Sequence, residues 1–219
     1  MGLVTGLIIV SWIFSGWLSM DHGRIFSKPN PTVKQTKALR GGSLAEVLSK
    51  MGTLNLKKHS GAKEITFHAF SGDPVAVVKN EIRVVNSPAL QPEIIAKAVS
   101  DAFPEVSIEK WGVVQPNDTY TDLLEGALPS GTIRVELSDP AKTWLHIDHR
   151  SGEIISVMDS SRRVYRWLYN GLHSLDFPGL SNRRPLWDIL MIVLLSAGFV
   201  ASLTGAVLGI RRGLSLFRN

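Results

Sequence analysis

Apolar and polar positions fall into three regimes along the chain. Residues 1–20, "MGLVTGLIIVSWIFSGWLSM", and residues 189–210, "ILMIVLLSAGFVASLTGAVLGI", contain no formally charged side chain. At 1.5 Å of helical rise per residue the second run would extend about 33 Å, enough to cross the hydrocarbon of a bilayer. A cleaved signal would need a basic leader, a shorter apolar core and a small-residue cleavage site. No Lys or Arg precedes Arg24, so the first run is read as an uncleaved span, with Trp12 and Trp17 toward headgroup depth.

The middle of the chain alternates instead. Pro29, Pro31 and Gly41 punctuate a polar linker over 21–42. Ser43, with Glu46 three residues on, is a capping box opening the helix "SLAEVLSKM". "KEITFHAF", "PVAVVK" and "IRVVN" follow as β-prone runs separated by turn residues. The order then repeats. "LQPEIIAKAVSDAF" has apolar residues at 94, 95, 98, 99 and 102, one face of a helix, and "GTIRVELS", "KTWLHID" and "GEIISVM" form a second meander. Between them "WGVVQPNDTYTDLLEGALPS" reads as a long irregular insertion, the kind of segment on which binding function is often placed. Two units are thus expected, 43–87 and 88–159.

From Ser160 the spacing is helical again. Val164, Trp167, Leu168, Gly171, Leu172 and Leu175 share one arc, and Arg163, Arg166, Asn170 and His173 the other. This predicts an interfacial amphipathic helix and linker over 160–184, with Arg162, Arg163, Arg166, Trp167 and Trp187 at the membrane interface. Pro185 suits the first turn of the second span, 185–210. The expected fold is therefore α+β, two helix-plus-antiparallel-meander modules between two transmembrane helices.

Charge fixes an orientation. The tail 211–219 has three arginines and no acid, which places it in the cytoplasm. Two spans then put both termini on that side and residues 21–188 outside it. That middle segment nearly balances its 21 basic against its 19 acidic residues, so it offers no basic surface for nucleic acid. The chain has no cysteine, which excludes disulfides, thiolate metal sites and cysteine nucleophiles. No nucleophile motif, phosphate-cradling glycine loop or dinucleotide fingerprint occurs, and the acids are scattered. Ordinary hydrolase chemistry is not indicated.

"WLHIDHRSGEII", "RVYRWLYNGLHSLDFPGL" and "RRPLWDILMIVLLSAGFVASLTGAVLG", with "SGWLSM" at the end of the first run, together resemble the PepSY domain and PepSY-associated transmembrane helix family. The likeness covers nearly the whole chain and is most specific from Tyr165 to Gly209. It implies an α+β module on the outer face of a bacterial inner membrane. Some relatives regulate peptidases. Larger ones, associated with iron–siderophore uptake, look like b-type haem reductases with histidines at helix ends.

Two histidines border the apolar runs on one membrane face, His22 and His173, and neutral imidazoles at one depth are what six-coordinate haem b needs. Against this stands a plain polar border role for both. His146 and Asp148 share a strand face but lack a third ligand, so no metal is assigned. Gly198, Ser202, Gly205 and Gly209 align on one face of the second span and are candidates for helix packing, either between the spans or against another membrane subunit. If "IRVVN" or "IISVM" is a sheet edge, an extended peptide could add to it. The sequence thus points to a non-enzymatic binding or regulatory subunit whose partners are the lipid bilayer and another membrane subunit or a peptide; a haem-dependent iron or siderophore reductase component is the alternative.

Overall fold

The computed structural model describes residues 2–20, 25–51, 62–79, 84–85, 90–123 and 126–216. The protein is α+β with antiparallel sheets, and it divides into two packed units. One, mainly helical, comprises Met1–Phe26, Leu123–Gly126 and Val164–Asn219; the other comprises Ser27–Asp122 and Ala127–Arg163.

The helical unit contains α1 (Gly2–Ser19) and α7 (Arg184–Leu216). Within α7, residues Arg184–Ser215 are, among the described residues, the one helix long and apolar enough to cross a membrane. The apolar stretch of α1, Gly6–Ser19, is shorter. Before α7 the chain forms α5 (Ser160–Tyr165), a π-helical turn (Arg166–Gly171) and α6 (Leu172–Ser174), then reverses at Leu175 in the left-handed region, φ 50°. The Asp176 amide donates to the Asn170 carbonyl at 3.0 Å, and Phe177 stacks on Trp167, its ring lying against Gly171.

This segment corrects the amphipathic reading. Arg166, Asn170 and Asp176 are buried, whereas Val164 and Leu172 are exposed. The polar arc faces inward because Arg166 meets Asp176 at 3.6 Å across the reversal. Arg166 is therefore an interior residue of this unit and is not exposed for lipid phosphates. Trp187, on the first turns of α7, donates its indole N–H to the Ser174 carbonyl at 3.2 Å.

The second unit opens with α2 (Val33–Arg40), which lies inside the segment expected to be linker. Thr32 caps it, with Gln35 returning the bond in a full capping box. α3 (Leu44–Leu48) carries the anticipated Ser43–Glu46 box, and that bonding holds the Glu46 carboxyl below its ordinary range. β1 (Glu64–Phe70) and β2 (Asp73–Lys79) form a hairpin whose two-residue turn, Ser71–Gly72, has positive φ at both positions, matching the strands' twist. β3 (Val84–Val85) pairs with β2; the rest of "IRVVN" lies outside the described residues.

The turn also ends α2. Ser71 and Gly72 donate their amides to the Leu39 and Arg40 carbonyls, both at 2.9 Å, and so satisfy acceptors the helix leaves open. Gly41 takes the left-handed cap at φ 77° so close to the turn that a Cβ there would lie 2.1 Å from the Gly72 nitrogen.

α4 (Pro92–Ala102) then precedes a four-stranded antiparallel sheet of order β4-β7-β8-β9: β4 (Ile108–Val113), β7 (Ile133–Leu137), β8 (Trp144–Ile147) and β9 (Ile154–Met158). Two short strands, β5 (Asp122–Leu123) and β6 (Gly126–Ala127), follow β4 in the chain and pair with each other as a separate two-stranded sheet. The sheet has one strand more than the expected meander. β4 occupies the start of the supposed insertion, and as an edge strand it leaves Trp111 and Val113 largely exposed.

Alternation along β7 and β8 builds the core. Ile133, Val135, Leu137, Leu145 and Ile147 face α4 and pack with Ile95, Val99 and Phe103. Leu39 of α2 and Phe70 of β1 join the same cluster, so both halves of this unit share one interior. Phe70 lies flat against Gly152, where a Cβ would come within 2.2 Å of its ring.

Candidate functional site

Because core residues take alternate positions, the register assigns Arg134, Glu136, Trp144, His146 and Ser156 to the opposite face of the four-stranded sheet. Arg134 and His146 are directly paired across strands, as are Glu136 and Trp144. The loop after β4 supplies Asp118 and Tyr120. Asn117 takes φ 64° there, and Asp118 Oδ1 accepts the Tyr120 amide at 3.0 Å and the Thr121 hydroxyl at 3.2 Å.

Arg134 is the hub. Its two terminal nitrogens donate to Asp118 Oδ2 at 3.0 Å and Oδ1 at 2.6 Å, a bidentate fork, while Nε–H donates to His146 Nε2 at 3.0 Å. The guanidinium carbon also lies 4.4 Å from the Trp144 ring centre. Arg163 flanks the same indole at 4.1 Å while donating to the Lys142 carbonyl at 2.9 Å, and Tyr120 meets it edge-on. Arg163 therefore belongs to this cluster on the α+β unit.

The electrostatics follow from burial and neighbours. Burial works to raise the Asp118 carboxyl, but the hydrogen bonds and charge of Arg134, helped by Tyr120 and Thr121, win and hold it below its ordinary range. His146 is fully buried. That burial, with repulsion from Arg134 and only partial relief from Asp118, lowers its pKa to about 4. The imidazole is therefore neutral near pH 7, and accepting at Nε2 puts its proton on Nδ1, which has no acceptor among the described residues. Chemically the cluster is a brace: each guanidinium nitrogen of Arg134 donates one hydrogen bond, and together these fasten the insertion to the sheet.

A pH dependence results. The folded-state pKa of His146 is depressed, so between its unfolded value near 6.5 and about 4 the unfolded chain binds the extra proton. Stability should fall as pH drops through that window, by roughly 3 kcal/mol in all. The depressed Asp118 adds a further loss only below 3.8. Urea midpoints of the detergent-solubilised chain against pH should show the slope, and His146→Gln should flatten it above pH 4.

A second feature lies at the other side of the same sheet. β9 is an edge strand, and a groove of about 300 Å³ runs beside it, walled by Asn30, Pro31, Leu39, Arg40 and Ala69 opposite Ile154, Ile155, Ser156 and Val157. Arg40 and His68 converge on Glu153 at its end, at 3.6 and 3.2 Å. A cavity of about 200 Å³ adjoins it, lined by Phe103, Val106, Leu137, Leu145 and Val157 together with the polar Asn30, Gln35, Asp139 and Thr143.

The remaining sequence candidates are placed as follows. His173 is half-buried, with Nδ1 at 3.2 Å from the Ser15 hydroxyl, its ring stacked on Tyr169 and its Cε1 against Gly16. His22 lies outside the described residues. Among the described residues of the helical unit His173 is the only histidine, and its expected pairing with His22 lies outside them. Arg162 donates its backbone amide to Asp159 at 2.8 Å, and Trp167 lies 5.1 Å from the Arg166 guanidinium. Gly198, Gly205 and Gly209 face open space, and Ser202 is exposed beside them.

Sequence reasoning named His146 and the insertion containing Asp118 separately but missed Arg134 and Trp144 as their link. The available signal was the period-two recurrence of Arg134, Glu136, Trp144 and His146 on strands that are otherwise apolar. No family model matches the chain, and neither a curated protein nor a solved structure is similar to it.

Proposed function

We propose that the chain is a PepSY-type protein of the bacterial inner membrane, held by α1 and α7, with its α+β unit outside the cytoplasm acting as a non-enzymatic binding or regulatory subunit. The reading rests on the motifs from Tyr165 to Gly209. It draws support from the length and composition of α7 and from Arg211 and Arg212 at its C-terminal end. α1 is seated within the helical unit through Ser15 and Gly16, consistent with a second helix held in the bilayer.

The observation that carries the binding part is the groove beside β9. Two ionisable groups with shifted titration, Asp118 and His146, are occupied in bracing the fold. The sheet edge, by contrast, opens onto a space with charged and apolar walls. Topology is tested by adding cysteines to a chain that has none. Lys110→Cys should react with an impermeant maleimide in intact spheroplasts, and Asn219→Cys only after lysis. The reverse pattern would refute the orientation.

A further inference from the structure

The geometry points to β9 as an acceptor strand: an extended segment of a partner polypeptide pairs with its free edge through backbone hydrogen bonds and sets one aliphatic side chain in the adjoining cavity. This rests on the binding-module reading and specifies its ligand.

The register determines which backbone groups are free. Leu137 donates to the Thr143 carbonyl, so odd-numbered residues of β8 bond toward β7 and Trp144 and His146 bond toward β9. Their partners Met158 and Ser156 therefore face β8, and the amide and carbonyl of Val157 between them face the groove. Between Ser156 and Ile154 the pairing shifts by one residue, which leaves Ile155 over and 37% exposed. Among the described residues no backbone bond closes this side of β9.

The opposite wall does not fill that role. Pro31 has no N–H, and the Asn30 side chain donates to the Lys28 carbonyl. The strap these residues belong to is fastened farther along, where the Ser27 amide donates to the Ser161 hydroxyl at 3.1 Å and the Ser27 hydroxyl to Asp159 at 2.7 Å. Among the described residues no backbone bond joins Asn30 or Pro31 to β9.

Three features select the occupant. The outward amide and carbonyl of Val157 on a free strand edge are matched by another extended backbone. The walls of α2 and the strap leave about 300 Å³, at the small end of ligand pockets, so one strand-thick segment fits where the rim of a second folded sheet is blocked. The cavity beside Val157 has an apolar share, Phe103, Val106, Leu137 and Leu145, while two of its polar lining residues, Thr143 and Asp139, are bonded to each other, and Arg40 and Glu153, about two-fifths exposed, offer both signs of charge at the groove's end. The partner is thus an extended peptide with an aliphatic residue near a charged one.

The full chain in detergent is titrated with a capped Thr-Val-Thr-Val-Thr-Lys peptide and two N-methylated forms, one blocking the odd amides and one the even. In an added strand only one set faces β9. One methylated form should bind at least tenfold more weakly and the other like the parent, and the parent should slow hydrogen exchange at Val157. Val157→Pro, tolerable where an edge amide points outward, should weaken the parent at least tenfold. Equal binding by both methylated forms, protection on β4 in place of β9, or no binding up to about 1 mM would overturn the assignment. The measurement is indifferent to membrane sidedness, so it can fail while the maleimide topology stands.

Discussion

Asp176→Ala should destabilise the helical unit by about 3–5 kcal/mol, because it strands the Arg166 guanidinium in the interior without its carboxylate. Both side chains are nearly inaccessible, at 3% and 2%, so water cannot substitute for the lost partner. Arg166→Met with Asp176→Leu should recover most of that loss, since two apolar side chains of similar bulk carry no desolvation cost. Thermal or SDS unfolding of the purified protein, compared across the single and double variants, measures both effects. A single variant as stable as the double would show that the charge is reached by solvent and that the ion pair is not what turns the polar arc inward.

The second large effect is expected at Gly41. An alanine there would put its Cβ 2.1 Å from the Gly72 nitrogen and 2.5 Å from its Cα, both backbone atoms that a rotamer change cannot move away. It would also hold a non-glycine residue at φ 77°. Left-handed strain alone costs of order 1 kcal/mol, and relieving the clash must break the amide-to-carbonyl bonds that close α2. A total of about 3 kcal/mol or more is expected, in the range reserved for backbone defects. Gly112→Ala, on edge strand β4 with open space around it, should be nearly neutral and serves as the control. Urea unfolding of the two variants distinguishes them, and similar midpoints would refute the close approach.

Several elements were legible because their determinants are local. The Ser43–Glu46 box, the Ser71–Gly72 turn and most of the face of α4 each lie within a few residues and appear where patterning placed them; Ile94 is the exception on α4, exposed while Ala96 takes its place in the interior. α2 had an equally local signal, Thr32 and Gln35 at capping-box spacing, but the flanking prolines and lysines concealed it. β4 was harder. An edge strand has no fully buried face, so its alternation is weak, and the sequence around Trp111 resembles a loop.

The segment from Ser160 was misread for a different reason. A helical wheel sorts residues into arcs but does not say which arc meets protein. Here Asp176, beyond the reversal at Leu175, decides the matter by drawing Arg166 inward. The Arg134 cluster was hidden in the same way. Asp118 and His146 are 28 positions apart and meet only because β7 and β8 pair with Arg134 opposite His146. The β9 groove depends on where the Asn30–Pro31 strap runs, which no local pattern encodes.

The seating of Leu39 and Phe70 among the side chains of α4 and the second sheet limits how this chain can be divided. A nick between residues 79 and 90 would yield two fragments that each own part of one interior. Neither would be stable when separated, and each would be the other's best complement on reassembly. Exchange of one half for that of another protein would have to preserve a jigsaw fit across the cut.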